Sequence, residues 1–172
     1  SRGLEMCIRD RAHTAKIQQR PDESAEYTKP AVQAFWKDDT FSVLCGATSV
    51  TWDKHTGRMI VCVHGRPVME EAKALTIEDG ETVQLLKKQP EENFFGGGTQ
   101  NGRFVHTGKK IQIVNESAWM DGGVASPNPF YYTTNGYGVL YNTFSDGTYD
   151  FGEEKQDCVK IVHKENKLSA YY

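Results

Sequence analysis

Several features that mark specialised chains are missing here. There is no CxxC pair, and the four cysteines, Cys7, Cys45, Cys62 and Cys158, share no spacing with histidine that resembles a zinc site, so no metal ligand set is expected. Cys45 and Cys62 sit inside apolar runs and are expected as buried free thiols, with a disulfide left open. The five histidines, His13, His55, His64, His106 and His163, form no HExxH and no i,i+4 pair, and no GxSxG hydrolase elbow is present. No apolar run approaches the roughly 20 residues of a membrane span. Ser1–Arg20 is mixed in charge and lacks the apolar stretch of a signal peptide. The net charge is −3, so no basic excess points to nucleic acid or an anionic membrane. At 172 residues the chain is also too short for a (β/α)₈ barrel, which needs about 250.

What is present suits a soluble domain, with 25% charged and 38% hydrophobic residues. Residues 1–30 stand apart: they carry charges of both signs and few apolar residues at any steady period, as in a solvated arm or linker. Within them EMCIRDR (Glu5–Arg11) looks like translated sequencing adapter, which leaves open whether residues 1–11 are native. From Ala31 the signal is β. AVQAFWK, TFSVLCG, TSVTWDK and RMIVCVH are rich in β-branched and aromatic residues and bounded by turn residues. Hairpin signals follow at Asp79-Gly80, at Thr107-Gly108 between RFVH and KKIQIV, and at Asn135-Gly136, and Asp146-Gly147 leads into TYDF. This density of turns indicates an all-β fold, a sandwich or barrel of antiparallel strands. Pro67–Leu75 is the one ambiguous stretch, since Met69, Ala72 and Leu75 also suit a short helix.

The composition shifts at Phe94. All aromatics except Tyr27, Phe35, Trp36, Phe41 and Trp52 lie from there onward, as do all glycines except Gly3, Gly46, Gly57, Gly65 and Gly80. Aromatic faces stack on sugar C–H faces, but aromatics also simply fill β cores. In ENFFGGGTQNGRF (Glu92–Phe104) the lysine and the following helix of a phosphate loop are absent. Three consecutive glycines indicate instead a backbone bend with close approach of other chain or ligand. WMDGGVASPNPF (Trp119–Phe130) is long for a hairpin connection, and such loops are often functional. It offers an indole (Trp119), a carboxylate (Asp121) and a side-chain amide (Asn128) to a sugar; the bland alternative is a loop whose Trp packs down and whose Asp caps a turn. Glu70-Glu71, Glu91-Glu92 and Glu153-Glu154 point to opposite faces of a strand and are expected to be solvated, not to face each other across a sugar. Asn115-Glu116-Ser117 is a weak glycosylation match.

The run FFGGGTQNGRFVHTGKKIQIVNESAWMDGGVASPNPFYYTTNGYGVLYNTFSDGTYDFG (Phe94–Gly152) closely resembles the N-terminal domain of glycoside hydrolase family 31 enzymes, in particular the bacterial branch with FFGGGxQNGRF and DGGVASPxPFYxSTNGYG signatures. A weaker match runs back to about Ala31 and forward to LSAYY (Leu168–Tyr172). The resemblance implies an antiparallel β-sandwich of the galactose mutarotase-like supersandwich type over residues 31–172. In the family this domain packs against a (β/α)₈ barrel whose aspartates carry out retaining hydrolysis of α-glycosides, with no metal or organic cofactor. A loop of the N-terminal domain helps shape the sugar site over the barrel mouth, and by position it matches Trp119–Asn128. Trp119 and Asp121 are therefore carried over as substrate-side contacts.

With no barrel sequence after Tyr172, the resemblance leads to the expectation that the catalytic aspartates lie outside this chain. The expectation is a fragment without catalytic residues, inactive alone, whose partners are the catalytic barrel in cis and an α-linked sugar or oligosaccharide substrate of the parent. An α-glucoside, α-xyloside or α-N-acetylgalactosaminide all suit, in carbohydrate metabolism inside or outside the cell. The alternatives are a free-standing carbohydrate-binding sandwich and an interaction domain without sugar contact.

Overall fold

The computed structural model describes residues 31–116 and 119–172. The arm expected at residues 1–30, with Cys7, lies outside the described residues. Those residues form thirteen strands and no helix. They are β1 (Val32–Lys37), β2 (Thr40–Cys45), β3 (Thr48–Asp53), β4 (Met59–Val63), β5 (Arg66–Glu78), β6 (Glu81–Lys87) and β7 (Phe94–Gln100), then β8 (Lys110–Ile113), β9 (Val124–Thr133), β10 (Gly138–Tyr141), β11 (Gly147–Asp150), β12 (Cys158–His163) and β13 (Ala170–Tyr171). They assemble into a nine-stranded sheet, β1-β2-β3-β4-β5-β6-β12-β11-β8, and a four-stranded sheet, β13-β10-β9-β7. All pairings are antiparallel. The fold is the all-β sandwich expected from the strand and turn pattern.

Local chemistry accounts for much of this order. Asp79 and Gly80 both take positive φ (52° and 84°) between the paired residues Glu78 and Glu81, a two-residue turn whose twist matches the flanking strands. The Asn135-Gly136 turn likewise joins β9 to β10, with Gly136 at φ 94°. The stretch left open at Pro67–Leu75 is strand: β5 pairs with β4 on one side and β6 on the other. Register shifts at Glu71/Lys73 and Lys73/Thr76 break its alternation, which is why its apolar residues mimic a helical period. Pairing on both flanks overrides a weak local preference.

Two turn signals mislead. RFVH is not a strand, and Lys110–Ile113 pairs with β11 instead of folding back on it. Phe104 and Val105 project into solvent while His106 turns inward, donating its backbone N–H to the Phe94 carbonyl at 2.9 Å. Asp146-Gly147 does not close a hairpin either. Gly147 opens β11, and a Cβ there would lie 2.7 Å from His163 Nδ1, so its glycine serves close packing and not a turn.

The core lies between the sheets, around Leu86, Phe94, Tyr131, Val139, Tyr149, Phe151 and Val159. Phe94 stacks on Phe151 at 4.7 Å, and Tyr131 meets Phe151 edge-on at 5.3 Å. The core also carries a hydrogen-bonded polar network around Gln84 and Glu71. Tyr141 donates to Gln84 Oε1 at 2.7 Å, and Gln84 Nε2 donates to Glu71 Oε1 and to Tyr172 Oη, both at 3.1 Å. The Met59 N–H donates to Glu71 Oε2 at 2.8 Å. Glu71 and Glu92 are thus corrections to the solvated carboxylate pairs: each is buried while its neighbour faces outward. Glu70-Glu71 alternate within β5, whereas Glu91-Glu92 lie in the turn between β6 and β7; in both pairs the inward carboxylate accepts from a backbone N–H. Cys45, Cys62 and Cys158 are free thiols; Cys158 is buried, whereas Cys45 and Cys62 are only half-buried.

Candidate functional site

The glycine run shapes one end of the small sheet. Gly96, Gly97 and Gly98 all lie within β7 at positive φ (114°, 72° and 76°). A Cβ on Gly96 would lie 2.5 Å from the Phe130 carbonyl oxygen, and one on Gly98 would lie 2.0 Å from that of Ser126. The bend and close approach expected of three glycines are both present, and the partner is β9. The β7–β9 register slips between Gly96 and Gly98, where β9 places Asn128–Phe130 opposite Gly97. Pro127 and Pro129, which have no N–H to donate, are accommodated at that irregularity.

Side chains from the same segment hold the bend. Gln100 is buried and its Nε2 donates to the Gly97 carbonyl at 2.9 Å and the Gln112 carbonyl at 3.1 Å. His106 Nε2 lies 3.0 Å from the Gly96 carbonyl and donates to it as the neutral ring. Burial pushes the His106 pKa below its ordinary value, which favours that neutral form.

Beyond the bend, two loops meet. The Asn101 N–H donates to the Gly123 carbonyl, and the Gly122 N–H donates to the Asn101 carbonyl, both at 2.9 Å. A Cβ on Gly102 would lie 1.8 Å from Asp121 Oδ1, so the carboxylate is folded onto that glycine. The Arg103 guanidinium lies against Gly122. This end of the sheet therefore presents a carboxylate, a guanidinium and four exposed apolar side chains: Trp119, Met120, Phe104 and Val105.

Of the three residues expected at a sugar site, Trp119 and Asp121 lie in the loop before β9, and Trp119 is 79% exposed. Asn128 does not share that loop. The connection ends at Gly123 and β9 begins at Val124, so Asn128 is an exposed strand residue whose backbone N–H packs against Gly98. The loop is therefore shorter than expected, since Pro127 and Pro129 lie in β9 at its register slip against β7. Arg103 and Phe104 join the site only through the tertiary meeting of the loops.

An aromatic ridge adjoins this end on the outer face of the small sheet. Phe104, Phe95, Tyr132 and Phe130 follow one another with ring centroids 5.5, 5.2 and 6.1 Å apart. Phe95 and Tyr132 are near parallel at 21°, as are Tyr132 and Phe130 at 28°. Phe104, at one end of the row, is tilted by 57° to Phe95 and is the most exposed of the four rings. The alternation in FYYT carries the signal: Phe130 and Tyr132 point out, Tyr131 and Thr133 point in.

A second, polar cleft of about 520 Å³ lies at the other end of β9, lined by Arg66, Glu70, Glu92 and Asn135. Arg66 donates to Asn135 Oδ1 at 2.9 Å, and the Asn135 amide donates to the Val68 carbonyl at 2.6 Å. Burial pushes the Glu92 carboxyl up, opposed by the Gln89 N–H that it accepts. No aromatic ring lines this cleft.

Residues 9–150 match the glycosyl hydrolase 31 N-terminal galactose mutarotase-like domain, and the chain belongs to that family. An α-xylosidase of Emericella nidulans is 29% identical over 93 residues, 54% of this chain and 12% of that protein. A family 31 dextranase of Flavobacterium johnsoniae, solved with glucose, superposes with a TM-score of 0.73 at 13% identity, covering 81% of this chain and 18% of that one. A family 31 α-xylosidase from a soil metagenome, solved with xylose, gives 0.69 at 16% identity over 89% of this chain and 26% of that one. At these identities the solved structures speak to the fold. The chain spans about an eighth of its curated relative and no more than about a quarter of either solved enzyme.

Proposed function

We propose that this chain is the non-catalytic N-terminal sandwich of an α-glycoside hydrolase, and that its β7–β9 end serves at the substrate entrance of the parent enzyme. The observation that carries the reading is an exposed Trp119 in the same loop as an Asp121 carboxylate folded onto Gly102, the two loops being tied by the Asn101–Gly123 and Gly122–Asn101 backbone hydrogen bonds. A rigid scaffold offering an indole face and an acceptor suits sugar hydroxyls beside a stacking surface. The aromatic ridge suits a protein partner, because four neighbouring rings form a continuous exposed apolar surface. The occupant that fits it is the catalytic barrel of the same polypeptide. The enzymes whose fold matches were solved with sugars and extend far beyond the matched region.

The test is kinetic and uses the parent enzyme. Trp119→Ala and Asp121→Ala are expected to lower kcat/KM for an α-linked disaccharide by roughly tenfold, in keeping with the loss of one or two polar and stacking contacts. Gly102→Ala displaces the Asp121 carboxylate and is expected to reproduce the Asp121→Ala effect. Unchanged kinetics in all three variants would refute the entrance role. Sugar release by the homogeneous 172-residue chain would refute the non-catalytic assignment. Tight binding of α-linked oligosaccharides by this chain alone would favour a free-standing binding module.

A further inference from the structure

The polar cleft at the far end of β9 has no part in the entrance role of Trp119, and its chemistry is different. Three chain segments wall it: residues 66–70 at the start of β5, residues 89–92 between β6 and β7, and residues 134–135 between β9 and β10. The walls are bonded to one another. The Asn93 N–H donates to Thr134 Oγ1 at 2.9 Å, and the Thr134 N–H donates to the Asn93 carbonyl at 3.0 Å. Asn135 joins its turn to β5 through Arg66 and the Val68 carbonyl. Buried Glu92 closes its own turn: Oε2 accepts the Gln89 N–H at 3.0 Å, and the Glu92 N–H donates to the Gln89 carbonyl at 3.1 Å. A cleft with walls held in this way loses little freedom when a ligand enters.

The groups not used by the walls are of both kinds. Among the described residues the Gln89 amide and the Glu91 carboxylate make no hydrogen bond, and Arg66 donates to Asn135 alone. Glu70 gives Oε1 to Lys87 and keeps Oε2. The Thr134 oxygen accepts from Asn93, which leaves its hydroxyl proton to donate.

This set discriminates between ligand classes. An anion meets the carboxyl groups of Glu70, Glu91 and Glu92. A cation meets the Arg66 guanidinium, and no cluster of metal-ligating side chains forms among the described residues. An apolar ligand finds only Pro67. A neutral polyhydroxyl ligand fits, because each hydroxyl both donates and accepts. Bonds from such hydroxyls to a guanidinium or a carboxylate are also stronger than those to neutral groups. The volume of about 520 Å³ lies in the usual range of small-molecule sites, roughly 300–1,000 Å³. We propose that this cleft is a second, non-catalytic sugar site, which holds a neutral pyranose by its hydroxyls through Arg66, Gln89, Glu91 and Thr134. With no aromatic ring to stack on, binding is weak and saturates only at millimolar sugar. The ten residues of β9 separate the cleft from the Trp119 loop, about 30 Å at roughly 3.3 Å per residue. One monosaccharide cannot touch both, so the two roles stand or fall separately.

The test uses the full-length parent enzyme and carbodiimide labelling of carboxylates, read residue by residue by mass spectrometry. The probes are D-glucose and D-xylose at millimolar concentration. Glu91 is exposed and is expected to label readily without sugar and several-fold more slowly with it. Glu78, exposed at the other end of β5, is expected to label equally in both. Gln89→Ala and Arg66→Met are expected to abolish the protection of Glu91. The Gln89 side chain makes no bond in the fold, so Gln89→Ala is expected to keep the melting temperature and the rate of α-linked disaccharide hydrolysis. Labelling of Glu91 that neither sugar slows would overturn the proposal. So would equal slowing by sodium sulfate, which means an ion site, or slowing that persists in both variants. Glu91 inert without sugar would overturn it in favour of a cleft covered by the rest of the parent. Loss of hydrolysis in a stably folded Gln89→Ala enzyme would overturn the non-catalytic assignment of the cleft.

Discussion

Replacing Gly98 with alanine isolates the cost of the close approach between β7 and β9. Two penalties combine. Gly98 has φ +76°, where a side chain costs about 1–2 kcal/mol. The new Cβ would also lie 2.0 Å from the Ser126 oxygen, 2.6 Å from the Asn128 nitrogen and 2.9 Å from the Pro127 carbonyl carbon. All three are backbone atoms, so no rotamer change relieves them, and overpacking of this kind costs about 1–3 kcal/mol more. Gly46 is the control: its φ is +57° and nothing lies within 4 Å of its Cβ position, so Gly46→Ala bears only the first penalty. For a domain of this length 1 kcal/mol moves the melting temperature by roughly 2–4 °C. Gly98→Ala is thus expected to melt roughly 10 °C below the unsubstituted protein and Gly46→Ala roughly 5 °C below. Thermal unfolding followed by circular dichroism, with urea titration for the free energies, gives the comparison. Equal losses in the two variants would show that the β7–β9 contact is not as close as described.

Glu71→Ala removes the acceptor of the Met59 N–H and of the Gln84 amide, and is expected to cost about 2–4 kcal/mol in urea unfolding. A loss under 1 kcal/mol would mean that water enters the site. Burial holds the Tyr131, Tyr137, Tyr141 and Tyr149 phenols well above their ordinary value of 10.0. Absorbance titration of the folded protein to about pH 12 is therefore expected to fall short of the total in urea by at least these four phenols. Stability is expected to depend on pH in two opposed ways. His106 and His163 are held below 6.5 by burial, so the unfolded chain binds more protons just below that value. Their contribution is full above 6.5 and is lost as pH falls towards the folded values. Glu92 is held above 4.5, so its contribution is full below 4.5 and is lost as pH rises through the raised value. Equilibrium unfolding between about pH 4 and pH 8 should show Glu92→Gln losing only the falling limb, and an unchanged profile would contradict the burial of that carboxyl.

Much of the strand order was legible from residue pattern, because the signals involved are local. Asn-Gly and Asp-Gly accept positive φ, and alternation of period two assigns faces strand by strand. The misreadings occur where a local signal had a nonlocal purpose. Gly147 resembles a turn glycine but makes room for His163. Pro127 and Pro129 resemble loop residues but sit at a slip in strand register. Glu71 and Glu92 resemble solvated carboxylates but face inward, Glu71 towards a backbone N–H and an amide and Glu92 towards the Gln89 N–H. The candidate site divides the same way: Trp119 and Asp121 are visible as loop residues, whereas Arg103 and Phe104 join them only because two loops pair through Asn101, Gly122 and Gly123.

By itself the sequence determined that the protein is built of antiparallel strands, that its glycine run bends the backbone, and that family membership follows from the segment around that run. These depend on φ preference and on side-chain period, which neighbouring residues settle among themselves. The tertiary structure alone decided which faces are core and which are left uncovered. Trp52 and Trp36 occupy equivalent places in one row, two strands apart, yet one packs against the core and the other stands in solvent. The difference lies in how far the second sheet reaches, and sheet extent is set by pairing between distant strands, not by the residues at either tryptophan.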